Sequence, residues 1–284
     1  MWIPDIGSGI VGDTEKEVSR MSMNVLITGV AGGMGFATCE LLVASGYTVF
    51  GLDFQQPSEA FSFRFLAADV TDSAQLETAF ACIKEEAGSL KAILHFAGVY
   101  DLNSLVEIPE PEFIRLFDIN LFGVYRINRL FLPLLEPNGR IIITSSELAP
   151  LDPLPFTGLY GVAKTALERY AYSLRMELQL LGYGVSVIRP GAVETGLLQV
   201  SKNRLDSFCG NTKLYSCNAA RFRSIVDRVE SRSIPPQAIG NLALRILQTK
   251  RPRYVYTINC NILLRLMHLL PHSWQTGIIR QILR

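Results

Sequence analysis

The sequence predicts an open, doubly wound, mostly parallel α/β sheet of seven strands with helices on both faces. Three observations predict it. Short apolar runs of strand length alternate with stretches of helical period, and connections of that length join parallel neighbours. The first run leads straight into a glycine-rich turn and a helix, through Thr28-Gly29-Val30-Ala31-Gly32-Gly33-Met34-Gly35. The fifth run ends in hydroxyls, Thr144-Ser145-Ser146, and strand ends are where such sheets place ligand chemistry.

The elements follow in order. Residues 24–28 form the first strand, and a helical pattern covers 36–44. The glycines between them let the backbone approach a pyrophosphate, and the helix N-terminus offers free N–H groups at the positive end of its dipole. A second strand over 47–52 ends at Asp53. An acid there, about twenty residues beyond the glycines, can accept from both ribose hydroxyls and repels a 2′-phosphate. No Lys or Arg flanks it in Phe54-Gln55-Gln56-Pro57, which favours NAD over NADP; a solvated strand-end acid is the plainer alternative. The third strand, over 63–68, closes on Asp69-Val70-Thr71-Asp72, and Asp72 or Ser73 can cap a helix over 74–86. A fourth strand over 92–96 ends in the small pair Ala97-Gly98.

Residues 110–135 read as one long apolar helix with Asn120 in its middle. A polar amide there is either a satisfied core asparagine or a site residue holding a water. The fifth strand, over 140–144, leads to Ser145-Ser146, and the proline-rich stretch 150–155 resists regular structure and can form one wall of a cleft. A helix carrying Tyr160 and Lys164 then runs to about 181, where Gly182-Tyr183-Gly184 ends it. The sixth strand covers 185–188 before Arg189-Pro190-Gly191, a helix covers 238–247, and 254–256 form the seventh strand.

Tyr160 and Lys164 are four residues apart and share a helix face. A phenol beside an ammonium suits proton transfer, because the positive charge favours the phenolate and lowers the tyrosine pKa. Taken alone, such a pair is far more often a solvated helix face. Its weight comes from the glycine-rich turn and the hydroxyl-ended strand before it.

Composition narrows the function classes. The chain has 284 residues, 49% of them hydrophobic and 19% charged, with a net charge of +1, which gives no basis for bulk nucleic-acid binding. Five scattered cysteines show no C-x-x-C pairing, which reads as reduced, intracellular thiols. With three histidines and no ligand spacing, no metal site is expected. Residues 1–22 read as a flexible leader without a charged-then-apolar signal pattern. The segment 196–232 mixes apolar residues with Arg204, Arg221, Arg223 and Arg228, which suits a hydrophobic substrate with an acidic tail, although a solvated basic helix face is the commoner case. From 258 to 284 an apolar stripe with Arg265, Arg280 and Arg284 reads as an amphipathic helical tail. No uninterrupted apolar run spans a bilayer; such a tail packs on the chain's own body or a partner subunit, covers the active site, or lies on a membrane surface.

These motifs jointly resemble the short-chain dehydrogenase/reductase family, in its classical branch, over roughly 24–248. T-G-x-x-x-G-x-G is matched by Thr28, Gly29, Gly33 and Gly35, N-x-x-G by Asn120 and Gly123, Y-x-x-x-K by Tyr160 and Lys164, and P-G-x-x-x-T by Pro190, Gly191 and Thr195. The family's N-N-A-G stands here as His95-Phe96-Ala97-Gly98, so a usual strand-to-strand hydrogen bond is lost or rebuilt. The interval from Ser146 to Tyr160 is one residue longer than the family's commonest spacing, which implies a bulge between 150 and 157 and lets Ser145 compete with Ser146. Gly32 makes the turn also satisfy T-G-x-x-G-x-x-G, the pattern of the extended branch with its sugar epimerases and dehydratases.

The resemblance implies a single-domain Rossmann fold over 23–257 and catalysis by Asn120, Ser146, Tyr160 and Lys164. It implies NAD contacts from Gly29, Gly33, Met34, Gly35, Asp53, Asp69, Val70, Ala97, Gly98, Tyr160, Lys164, Pro190, Gly191, Val193 and Thr195. Tyr160 would be the general acid/base, Lys164 would lower its pKa, Ser146 would hold the substrate oxygen, and Asn120 would position a relay water. The implied activity interconverts a secondary alcohol and a ketone on a small hydrophobic substrate, hydroxysteroid-like. The alternatives are a sugar-nucleotide epimerase or dehydratase and a non-catalytic NAD(H) sensor. A homodimer or homotetramer is implied, in the cytoplasm, with peripheral membrane contact through 258–284 as one role for the tail.

Overall fold

Successive side chains of a strand point to opposite faces of its sheet, and the first strand shows what that builds. In the computed structural model, which describes residues 23–230 and 232–284, β1 (Asn24–Thr28) sends Val25 and Ile27 into one buried core and Leu26 into another. The expected leader lies outside the described residues. With β2 (Thr48–Asp53), β3 (Arg64–Ala67), β4 (Leu90–His95), β5 (Leu135–Thr144), β6 (Gly184–Pro190) and β7 (Val255–Ile258), β1 forms one sheet in the order β3-β2-β1-β4-β5-β6-β7. Every neighbouring pair is parallel, where a mostly parallel sheet was expected.

The helices, in chain order, are α1 (Gly33–Ala44), α2 (Ser73–Glu86), α3 (Glu110–Phe117), α4 (Gly123–Phe131), α5 (Gly158–Leu178), α6 (Gly196–Asn211), α7 (Ser216–Glu230), α8 (Gln237–Gln248), α9 (Ile262–His268) and α10 (His272–Leu283). Leu42 of α1 and Ile239 of α8 pack with Val25, Ile27 and Leu94. Ile83 of α2, Ile127 of α4 and Leu167 of α5 pack with Leu26, Ile93 and Ile143 on the other face. Connections turn one way from β1 and the other way from β4, so the carboxyl ends of these two central strands flank a crevice where open sheets bind ligands.

Several boundaries differ from expectation, for identifiable reasons. The helix expected over 110–135 is interrupted: a π turn covers Asp118–Phe122 between α3 and α4, and a 3₁₀ turn covers Leu132–Leu134. The side chain that the wide turn carries inward is Asn120, which the loop after β4 binds. β5 begins at Leu135, five residues earlier than the apolar run 140–144, through a register shift opposite β4 and a left-handed Asn138 (φ 62°). Asp72 caps α2 by accepting from the N–H groups of Ala74 and Gln75.

Beyond β6, α6 and α7 form a cover over the sheet's carboxyl edge, with Leu205, Phe208 and Phe222 clustered around Phe156. The tail is two helices rather than one, because Pro271 stands between them and cannot continue a helix from α9. Ile258, the expected start of the tail, still belongs to the sheet, where it pairs with Pro190. No helix among the described residues is long and apolar enough to cross a membrane.

Candidate active site

The glycine-rich turn is shaped by two close approaches. A side chain on Gly29, which has φ 77°, would come within 2.4 Å of the Ala97 nitrogen, and one on Gly35 within 2.1 Å of the Gly29 carbonyl oxygen. β1, α1 and the end of β4 therefore meet at a place where only bare backbone fits. Asp53 stands beside the turn: its Oδ2 accepts from the Ala31 N–H at 2.9 Å and its Oδ1 from the Gln55 N–H at 3.1 Å. Asp69 accepts from the Thr71 N–H and hydroxyl, each at 2.8 Å, and Val70 packs against Gly123, where a Cβ would lie 2.8 Å from its Cγ2.

β5 and α5 bring the reactive side chains together. Ser146 lies beside the Tyr160 phenol, on the wall of one cavity, and the ring of Tyr100 meets that of Tyr160 edge-on at 4.7 Å. Ser146, not Ser145, faces the phenol; Ser145 Oγ is buried without a hydrogen-bond partner, and its N–H donates to the Ile188 carbonyl at 2.8 Å. Lys164 donates to the Thr144 carbonyl at 3.1 Å, with its Nζ 5.7 Å from the centre of the Tyr160 ring. Between Ser146 and Tyr160, Phe156 adopts a left-handed conformation (φ 64°) and is anchored in the aromatic cluster under α6 and α7.

Burial dominates the protonation of this group. It pushes the Tyr160 phenol up to about 12 against the lowering effect of the neighbouring Ser146. It pulls Lys164 down to about 8 against the raising effect of Glu168. Where Lys164 was expected to lower the tyrosine pKa, the shift is upward: burial dominates, and the ammonium lies against the ring and the Thr144 carbonyl.

Asn120 resolves into a clasp. Its Oδ1 accepts from the Val99 N–H at 3.0 Å and its Nδ2 donates to the Val99 carbonyl at 2.8 Å. Gly98 lies between it and the lysine: a Cβ there would be 2.8 Å from Asn120 Oδ1 and 3.7 Å from Lys164 Nζ. His95, in place of an asparagine, bonds through Nε2 to Asn128 Oδ1 at 2.8 Å, and Asn128 passes the link to the Tyr170 hydroxyl at 3.1 Å. A buried polar chain thus replaces the expected strand-to-strand bond, and burial drops the His95 pKa to about 4.

A cavity of about 220 Å³ opens over these residues. Met34, Gly98, Ser146, Tyr160, Lys164 and Thr195 line it, together with Pro190, Gly191 and Val193. Asp53, Asp69, Val70, Ala97 and Asn120 are outside its wall: Asp53 ends β2, and Asp69 and Val70 follow β3, farther along the carboxyl edge. Sequence reasoning missed Tyr100, Glu147, Phe222 and Leu264, which also line the cavity. No periodicity marks them; they converge only once the cover and tail fold back.

The chain's own features fit a dinucleotide. No side chain caps α1, so its first N–H groups face the turn unclaimed by a capping side chain. Thr144 Oγ1 and Ser145 Oγ are buried without partners. Among the described residues no cluster of potential ligands could hold a metal ion.

A family model of the short chain dehydrogenases matches residues 23–206. The protein belongs to that family of NAD(P)-using oxidoreductases, whose fold and site the preceding geometry describes. It is similar to 3-ketodihydrosphingosine reductase of Bacteroides thetaiotaomicron, 27% identical over 232 residues that cover 81% of this chain and 85% of the relative. It is also similar to an NADPH-dependent 3-dehydrocapnine reductase of Ornithobacterium rhinotracheale, 27% identical over 248 residues, 82% of this chain and 87% of the relative. In fold it matches ligand-free aldohexose dehydrogenase of Thermoplasma acidophilum, with a TM-score of 0.71 and 20% identity over 85% of this chain and 94% of that one.

Proposed function

We propose that this protein is an NAD(H)-dependent oxidoreductase that interconverts a secondary alcohol and a ketone on a bulky, apolar, hydroxysteroid-like or long-chain substrate. The observation that carries the reading is the convergence of Ser146, Tyr160 and Lys164, the last one turn from the tyrosine, on the wall of one cavity at the carboxyl edge of the sheet. In the reducing direction Tyr160 donates its phenolic proton to the substrate oxygen; in the oxidising direction the phenolate takes that proton back. Ser146 hydrogen-bonds the same oxygen and stabilises charge as it develops there. Lys164 anchors to β5 through the Thr144 carbonyl and supplies a positive field beneath the phenol. Asn120 holds Val99, and with it the loop floor on which Gly98 and Lys164 meet. The nicotinamide, when bound, supplies or accepts the hydride.

The apolar side of the cavity supports the substrate class. Val99, Leu148, Leu154, Phe222, Val226 and Leu264 line it. Two relatives similar over most of the chain are named as reductases of 3-ketodihydrosphingosine and 3-dehydrocapnine. The preference for NAD rests on Asp53 alone, since one of these relatives is named for NADPH. The decisive experiment supplies purified protein with NAD or NADP and a panel of secondary alcohols, from short aliphatics through sphingoid bases to hydroxysteroids. Expected is NADH formation with the bulky apolar members, abolished in Tyr160→Phe. No turnover by any of them, or undiminished turnover in the variant, would overturn the reading.

A further inference from the structure

The sequence of the tail is one-sided in charge. Residues 259–284 carry Arg265, Arg280 and Arg284 and neither Asp nor Glu. The tail is also apolar on its outside. Ile262, Leu266 and Leu269, at helical spacing i, i+4 and i+7, share one face of α9 and are 68%, 55% and 77% exposed. Trp274, at the start of α10, is 66% exposed. Exposed large apolar groups in such number mark a contact surface rather than a solvated helix.

The opposite face of α9 belongs to the active site. Leu264 stands two residues from Ile262, hence on the other side of the helix, and lines the cavity that holds Tyr160 and Ser146. Three contacts fasten the tail in that position. The Glu147 carboxylate, next in sequence to Ser146, accepts from the Asn261 N–H at the start of α9. Gln275 donates to Asp152 Oδ2 at 2.8 Å, with His268 Nδ1 3.1 Å from the same oxygen. Asn218 of α7 donates to the Leu283 carbonyl at 2.6 Å. One short helix is thus cavity wall on its inner side and bare apolar surface on its outer side.

We propose that this outer face, Ile262, Leu266, Leu269 and Trp274 with Arg280 of α10 and Arg284 at its end, rests on an anionic lipid surface, so that lipophilic substrate passes between bilayer and cavity beside α9. The inference rests on the reading of the cavity as a site for an apolar substrate. Apolar side chains enter the interface while arginines meet acidic headgroups, which is how a helix lies on a membrane without crossing it.

Vesicle flotation of the full chain tests it, with phosphatidylcholine vesicles made with and without phosphatidylglycerol. Binding to the anionic vesicles is expected, weaker to the neutral ones and weaker at high salt. The double variant Leu266→Glu, Leu269→Glu should lower partitioning by about a hundredfold, the equivalent of burying two leucines in part. Arg280→Glu should lower it about fivefold or more on anionic vesicles alone, at about 1 kcal/mol for the lost charge. In a Trp2→Phe background Trp274 is the sole tryptophan, and its emission should shift to the blue on binding. Failure of wild-type protein to bind anionic vesicles, or equal binding by the double variant, would overturn the proposal. So would a fall in solution mass on Leu266→Glu, Leu269→Glu substitution, which would give the face to a second copy of the chain. Turnover of a short, water-soluble alcohol, run in parallel, separates the two readings: vesicle binding without turnover of any alcohol sinks the proposed reaction and leaves the lipid surface standing.

Discussion

Asn120 and Val99 clasp each other through both backbone polar groups of the valine, at 3.0 and 2.8 Å, and this pairing coincides with the π turn that breaks the chain's longest apolar helical stretch. Gly98 fits beside this clasp only without a side chain, because a Cβ there would come within 2.8 Å of Asn120 Oδ1. Gly98→Ala should therefore displace the Asn120 side chain and loosen its hold on Val99 beside Lys164. Expected is a loss of turnover of about 10–10²-fold, the scale of a misplaced catalytic group, with thermal stability falling far less. Steady-state kinetics beside a melting curve checks it; unchanged turnover would remove the clasp from the site's function.

Tyr160→Phe keeps the ring that packs against Tyr100 and removes only the hydroxyl. General acid–base catalysis contributes about 10²–10⁴-fold, so turnover should fall by that factor. Cofactor affinity, measured by NADH fluorescence titration, should stay within a few-fold of wild type.

The pH dependence follows from the direction of the tyrosine shift. With the phenol held near 12 by burial, the protonated form dominates through the neutral range. Alcohol oxidation needs the phenolate, so its kcat/KM should climb as pH rises, approaching about tenfold per pH unit well below the pKa. Ketone reduction uses the phenol and should not climb with it. An oxidation rate that is flat across neutral and alkaline pH would contradict this assignment of the base.

We propose that Asp53, whose carboxylate accepts from the Ala31 N–H, sets the cofactor preference. Asp53→Ser removes both the acceptor for ribose hydroxyls and the repulsion of a 2′-phosphate. A hydrogen bond to a charged group contributes about 1.5–3 kcal/mol, so the ratio of kcat/KM for NAD over NADP should fall by about 10–10²-fold. A preference for NADP in the wild-type protein would refute the role given to this residue.

His95 makes the fold acid-sensitive. Its folded-state pKa of about 4 lies below the ordinary 6.5, because the fully buried ring disfavours charge. Above 6.5 the ring is neutral folded or unfolded and costs nothing; as pH falls towards 4 the unfolded chain takes up a proton first, and stability drains by roughly 3 kcal/mol. His95→Asn removes that titration and can still bond to Asn128. Denaturant midpoints measured from pH 7 to pH 4 should fall less steeply in the variant, about as far as this one group accounts for.

Much of the fold was legible because the strands speak locally. Val25, Leu26 and Ile27 are apolar on both sides, as a strand buried on both faces must be, and the glycines after Thr28 mark a turn that admits no Cβ. The pairing of Tyr160 with Lys164 was legible through spacing: they lie one turn apart on α5, as residues four apart on a helix must. What spacing could not show is which neighbour each group meets. Ser145 and Ser146 look alike in the chain, and only the path of β5 turns Ser146 towards the phenol. The tyrosine's pKa likewise depends on how much water the cover excludes, which no pair spacing encodes.

The sequence by itself determined the alternation of strands and helices, the glycine cradle, the acid at the end of β2 and the order of site residues, because each is written in local pattern. Tertiary structure alone decided the break at Asn120, the left-handed turn at Phe156, the rebuilt His95–Asn128–Tyr170 chain and the placing of Leu264 in the cavity wall. These depend on contacts between residues far apart in the chain. Packing and the satisfaction of buried polar groups choose among them, and neither can be summed over a local window.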